Sequence, residues 1–272
     1  PEVDILFQNI NSNGELSVEN SLFISNSNGY QFAPILNGNT EEGLHAIYAD
    51  QGNGSINLMV QSINSNFEPD WDNQGIQAML GLDGDVNYTN HYKLDNQDFL
   101  LLWEDNRSSK KIFGSRITNS EVIYPNGKKL TFGDNSSSET DFSTPQILKT
   151  ESYVFTATFD GSSSPKFIRI NKFDFNLNNI WADSGVALNP VFDMRNAKLI
   201  NTEDGIGCFW SESRGFNYDI YYQKLTGNGE LSLETGGVEI ITSNGDDYIM
   251  DIINAPDGNF MIFWMEDAWP AA

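Results

Sequence analysis

Short apolar runs recur along the whole chain, separated by gaps rich in Asn, Ser, Gly and Asp. No stretch holds the three-to-four-residue spacing of an amphipathic helix. The runs are alternating or continuous and short, which predicts strands. The gap residues are those that favour tight turns. Five runs align without gaps: DILFQNI (4–10), NLMVQSI (57–63), KIFGSRI (111–117), FIRINKF (167–173) and DIYYQKL (219–225). Each ends in a large apolar residue: Ile10, Ile63, Ile117, Phe173 or Leu225. Each carries a polar residue at its fifth position: Gln8, Gln61, Ser115, Asn171 or Gln223. They recur about every 54 residues, the self-similarity that marks a repeat architecture. A polar turn follows, as in NSNGE (11–15) and TGNGE (226–230), where Asn-Gly is a strong turn signal.

Three more strands complete each repeat. Upstream lies an apolar strand that closes on an acid: LHAIYAD (44–50), FLLLWED (99–105), YVFTATFD (153–160), IGCFWSE (206–212) and FMIFWME (260–266). Before each stands a short strand: QFAPIL (31–36), NHYKL (90–94), TPQIL (144–148), NAKLI (196–200) and YIMDII (248–253). Downstream of the turn, Trp71 with Gly75 matches Trp181 with Gly185, and Leu233 with Gly237 occupies the same places. One repeat is therefore four strands, A to D, the make-up of a propeller blade. The expected fold is an all-β, five-bladed β-propeller.

The chain opens on strands C and D and stops after strands A and B. The two half-repeats sum to one blade. Residues 4–10 are therefore expected to pair with 260–266, because an open array would leave exposed sheet edges. No linker or composition break interrupts the pattern, so residues 1–272 read as a single domain. Pro1 in place of Met suggests a processed chain or a module of a larger one. Trp103, Trp210 and Trp264 end equivalent B strands and are expected to be buried between blades. Trp71 and Trp181 are expected to pack in the same way rather than to serve as ligand platforms.

The chain has 38 acidic and 15 basic side chains, a formal charge of -23. That excludes nucleic acid, whose phosphates need a basic footprint, and disfavours anionic membranes. It permits cations, basic partners and neutral sugars, and it keeps copies of the chain apart in solution. No apolar run is long enough to span a bilayer, and no signal peptide is visible. The single cysteine, Cys208, lies in the apolar run GIGCFW and reads as a buried core residue. It leaves no intrachain disulfide possible.

The segments 103–117 and 210–240 share a Trp, an acid two positions later and an Arg two beyond that: Arg107 and Arg214. A short loop, a strand of the form DIYxQ and a Gly-Val strand follow. This pattern resembles repeats of large secreted and cell-surface proteins of bacteria, particularly gliding and marine Bacteroidetes. The resemblance implies an exported protein and a domain of something larger. Asp50 and Asp160 depart from it, since neither is followed by Arg two positions later.

The B–C and D–A loops of a propeller share one face. The closing acids Asp50, Asp105, Asp160, Glu212 and Glu266 are thus expected in a circle there. Asp83, Asp85, Asp134, Glu139, Asp141, Asp193, Asp246 and Asp247 lie in the D–A loops. Clustered carboxylates could bind calcium, which favours oxygen ligands. Because an acid recurs in every blade, a structural role is the main expectation: each holds its own B–C loop or pairs with an Arg such as Arg107 or Arg214. No loop has the D-x-D-x-D-G calcium spacing. His45 and His91 are the only histidines and sit in no catalytic signature, and with Cys208 they make no zinc set.

Glycoside hydrolysis needs two carboxylates across a pocket. Strand A is nearly free of acids, Asp251 being the exception, and Arg195 is the only Arg near the start of a strand A. The sequence thus reads as a non-enzymatic extracellular module, whose partner is a carbohydrate, a protein or another copy. The alternative is a carbohydrate-active enzyme. The feature that separates the two is a carboxylate pair that the repeat does not explain.

Overall fold

The structure is a computed structural model. It describes the chain except residues 1–2, 18–20, 26, 40–42, 53–55, 72–74, 83–85, 95–97, 106–110, 119–120, 132–145, 161–166, 183, 189–191, 193 and 268–272. At 37–39, 43, 80–82, 86–89, 105 and 160 the backbone alone is described. The described residues hold strands and turns and no helix.

The repeats form the expected antiparallel sheets. The first complete one is β3 (Gln31–Asn39), β4 (Gly43–Asp50), β5 (Ile56–Ile63) and β6 (Ile76–Leu82), after β1 (Ile5–Phe7) and β2 (Leu22–Ser25). The next holds β7 (Val86–Lys93), β8 (Phe99–Asp105), β9 (Lys111–Ile117) and β10 (Lys128–Lys129). A third holds β11 (Gln146–Lys149), β12 (Val154–Asp160), β13 (Phe167–Phe173) and β14 (Val186–Ala187). A fourth holds β15 (Met194–Thr202), β16 (Gly205–Glu212), β17 (Asp219–Thr226) and β18 (Val238–Ile241), and β19 (Asp246–Asn254) with β20 (Phe260–Asp267) closes the chain. The backbone divides into two compact units, residues 1–107 with 113–129, and residues 108–112 with 130–272.

The buried polar position in strand C has a local cause. Gln61, Ser115, Asn171 and Gln223 are almost fully buried. Gln223 accepts from Leu233 N at 3.0 Å and donates to Glu234 O at 2.9 Å, which seats the start of strand D. Ser115 accepts from Tyr124 N at 3.2 Å for the same purpose. An apolar side chain there would leave buried backbone groups unpaired. The turn after strand C is also fixed by one side chain. Asn11, Asn64 and Asp174 each accept two backbone N–H bonds from the turn residues that follow.

Three A strands start earlier than their alternation predicts, at residues 86, 194 and 246, while the one at 31 starts where expected; in all four the pairing slips, at Phe32/Ile35, Asn87/Thr89, Arg195/Lys198 and Ile249/Asp251. Ala33 and Asn196, two residues into their strands, both have φ of 52°. The extra residue is a β-bulge, and it breaks the period-two pattern from which a strand is read.

Trp103 and Trp210 are fully buried. Trp210 stacks on Tyr221 with centroids 6.2 Å apart, and Trp103 on Phe113 at 6.3 Å. In two sheets that ring also dictates a glycine in the chain that leads into strand D. Gly237 has φ of 76°, and a Cβ there would stand 2.5 Å from Trp210 and 2.6 Å from Tyr222 O. Gly127 stands in the same relation to Trp103. Trp71 and Trp181 are half-buried, and Trp181 donates to Gly227 O at 3.2 Å while meeting Phe155 edge-on. Cys208 is fully buried, as its apolar run predicts.

Two expectations are corrected at the chain's ends. Residues 4–10 and 260–266 do not pair: β1 lies in a two-stranded sheet with β2, and β20 in another with β19. Trp264 is 47% exposed, not buried. The reason is local. Trp210 is covered by a strand C ring and a strand D glycine, and the sheet of β20 contains neither strand.

Candidate functional site

Two of the closing acids are built into their own sheets. Asp50 accepts from Gly52 N in its B–C loop at 2.8 Å, from Gln31 Nε2 at 3.1 Å and from the Ser27 hydroxyl. Glu212 is fully buried and accepts from Phe192 N, Trp210 Nε1 and Arg214 Nη2 at 3.0, 3.0 and 2.8 Å. Arg214 also bonds Gly236 O and lies 3.8 Å over the Tyr221 ring. The Trp-acid-Arg motif is thus a clasp that ties strands B, C and D together. The side chains of Asp105 and Asp160, and Arg107, lie outside the described residues, as do Asp83, Asp85, Asp134, Glu139, Asp141 and Asp193.

Glu266 differs from Asp50 and Glu212, for it is exposed. Its partner across the strands is Asp247. Directly opposed residues in an antiparallel pair share a face and have Cβ atoms about 4.5–5.5 Å apart. At the same place the other repeats set Gln31 against Asp50, Val86 against Asp105 and Met194 against Glu212. Only β19 and β20 oppose two carboxylates there, among the described residues. Asp247 is fully buried, and neither of its carboxylate oxygens has a hydrogen-bond partner. Its proton affinity is raised by burial first, then by the charges of Glu266 and Asp219; Ser243 and Trp264 act in the opposite sense. The sequence places Asp247 in a loop, whereas the early start of β19 puts it in strand A.

The surroundings hold more acids and flat rings. Asp219, at the start of β17, is half-buried and also raised, by desolvation first and by Glu239 and Asp246 as well. Asp246 accepts from Tyr218 N at 2.9 Å and from the Tyr248 hydroxyl at 3.1 Å. Tyr218 and Tyr248 stand with ring centroids 5.5 Å apart, and the Arg195 guanidinium lies 4.5 Å from the Tyr218 ring. Phe216, in the B–C loop between β16 and β17, is fully exposed. Asp251, the acid that the sequence places in strand A, is exposed and binds Ile252 N.

His45 packs on Phe99 with centroids 4.4 Å apart, and burial, aided by Lys93, lowers its pKa to about 4. Burial also lowers His91. Both are neutral at physiological pH. Among the described residues, no three His, Cys, Asp or Glu side chains lie close enough to hold a metal ion, and no helix is long and apolar enough to cross a membrane.

Asp247→Asn should raise the melting temperature at pH 7. An unpaired polar group in the interior is unfavourable by about 1–3 kcal/mol, and an unpaired charge by more. The folded state binds the Asp247 proton more tightly than the unfolded chain does. Its stabilising contribution is therefore complete below the unfolded value, near pH 3.8, and lost as pH rises through the raised folded value. The gain of the Asn variant should thus shrink towards zero on acidification to about pH 3.8. Melting curves of both proteins across that range check it, and an unchanged or lowered midpoint at pH 7 would refute it.

No family model matches the chain, and no curated protein does. Solved structures do. One is the endo-1,4-beta-xylanase from Bacteroides thetaiotaomicron, at 11% identity over 85% of this chain and 93% of that one, with a TM-score of 0.44. Another is the alpha-L-arabinofuranosidase from Lactobacillus brevis, at 10% identity over 87% and 84%, TM-score 0.41. A third is the endo-arabinase from Bacteroides thetaiotaomicron, at 12% identity over 85% and 87%, TM-score 0.39. The expectation of a non-enzymatic binding or structural module is corrected by this finding: the solved structures that the chain is similar to are named as enzymes.

Proposed function

We propose that the chain is a carbohydrate-active enzyme that cleaves a glycosidic bond with the carboxyl pair Asp247 and Glu266. The observation that carries the reading is the position of Asp247. It breaks the repeat at one place, beside a second carboxylate, and no well-formed hydrogen bond holds its oxygens. Buried groups with shifted proton affinity cluster at functional sites. Glycoside cleavage needs one carboxyl that carries a proton and one that does not. Asp247 is the candidate proton donor, because burial favours its neutral form. Glu266, open to solvent, is the candidate base or nucleophile. The exposed Phe216 and the Tyr218 and Tyr248 rings offer flat apolar faces for a sugar ring.

The five-bladed propeller and the export of the chain belong to the same proposal. Five copies of one four-stranded pattern support the blade count, and the resemblance to secreted bacterial repeats supports export. The test of the activity is release of nitrophenol from a panel of nitrophenyl furanosides and pyranosides, together with new reducing ends from neutral polysaccharides. Cleavage of one class is expected. Absence of cleavage across both panels would overturn the reading.

A further inference from the structure

A second recess lies at the opposite end of the strands from Asp247. Its walls are the A–B hairpins, 150–153, 201–205 and 254–260, and the C–D turn at Gly227. About 25 Å of strand separates these turns from the B–C and D–A loops, at 3.3 Å per residue. The recess consists of two adjoining cavities, of about 260 and 560 Å³, which share Glu151, Asn201, Thr202 and Glu203. The sum falls in the range of small-ligand sites.

Its chemistry is that of a surface for hydroxyl-rich rings. Tyr153 lines one end, over the buried Phe155, and the half-buried Tyr222 and Phe260 line the other, with centroids 6.1 Å apart. Asn201, Glu203 and Asn254 stand between them as hydrogen-bonding groups of both senses. The repeat is broken here too. Arg116 and Lys224 share one place in strand C, and each pairs with an acid just before strand B, Asp98 one residue ahead of the run 99–105 and Asp204 two ahead of the run 206–212. The third sheet has Tyr153 and Ser152 at those two places and no acid. Its Lys172 turns instead to Gly227 O at 2.8 Å and lies 3.8 Å over the Tyr153 ring. That fixes Tyr153 as a wall and removes the ion pair that elsewhere fills the corner. Glu151, Glu203 and Asp204 disfavour an anionic ligand, and the polar lining disfavours a lipid.

We infer that this recess is a saccharide-binding site distinct from the Asp247–Glu266 pair, taking a neutral oligosaccharide whose apolar ring faces rest on Tyr222 and Phe260. Such a site would hold a polymeric substrate without acting on its bonds.

The test is calorimetric titration of the full chain with cellohexaose, xylohexaose and mannohexaose. It uses the Asp247→Asn background so that turnover does not intervene. At least one sugar should bind. Glu203→Gln and Asn254→Ala, both at exposed hairpin positions, should each weaken that binding about tenfold, the loss expected for one hydrogen bond to a charged or polar partner. Their melting curves should match the parent's. Affinity unchanged in both variants, or no binding of any of the three sugars, would overturn the inference. The two readings fail separately: cleavage by the wild type without recess binding leaves only the active site, and recess binding without cleavage leaves only the recess.

Discussion

Replacing either Asp247 by Asn or Glu266 by Gln should lower kcat on a cleaved glycoside by about 10²–10⁴-fold, the usual contribution of one acid or base group. Each substitution removes a carboxyl while keeping size and shape, so neither should unfold the protein. The two variants should differ in a second readout. With Asp247→Asn, a glycoside whose leaving group needs no protonation, such as a dinitrophenyl glycoside, should be cleaved far better than one that does. With Glu266→Gln, both substrates should suffer alike, because the attacking carboxylate serves both. Stability moves the other way: the Asp247→Asn protein should melt higher at pH 7 than the wild type, since its unpaired carboxyl is gone. A variant of either residue with wild-type kcat would remove that residue from the pair.

Trp210→Ala should destabilise the fold by about 3–5 kcal/mol, as large-to-small changes at buried aromatics do. Trp210 is fully buried, stacks on Tyr221 and donates to the buried Glu212. Its removal opens a cavity under Gly237 and takes one donor from the buried Glu212 carboxylate, to which Arg214 still donates. Trp264→Ala at the equivalent place in β20 should cost markedly less, because Trp264 is 47% exposed and its removal leaves a smaller cavity. Urea unfolding of the two variants decides the matter. Equal losses would mean that Trp264 is covered in solution and that β20 has the neighbour its repeat lacks here.

Much of the fold was legible because its signals are local. The alternation of LHAIYAD, the Asn-Gly turns and the recurring polar fifth position each act within a few residues, and β4, β5 and the later copies follow them. The Trp–Gly spacing was legible as a pattern. Its cause was not, since the glycines Gly75, Gly185 and Gly237 each lie against a carbonyl of strand C, Val60 O, Ile170 O or Tyr222 O, with no room for a Cβ.

The sequence by itself therefore determined the strands, their grouping in fours and the structural clasp around Glu212, all of which come from short-range pairing repeated in each copy. Only the tertiary structure decided what breaks the repeat. In β19 the pairing continues beyond the slip at Ile249/Asp251 to the strand's first residues, and that puts Asp247 in a buried strand position opposite Glu266 instead of a loop. The exposure of Trp264 and the recess beside Lys172 were decided in the same way, by which neighbouring strand or acid is present to cover them. Period and turn chemistry are written along the chain, whereas burial and proton affinity depend on atoms that the chain brings together only when it folds.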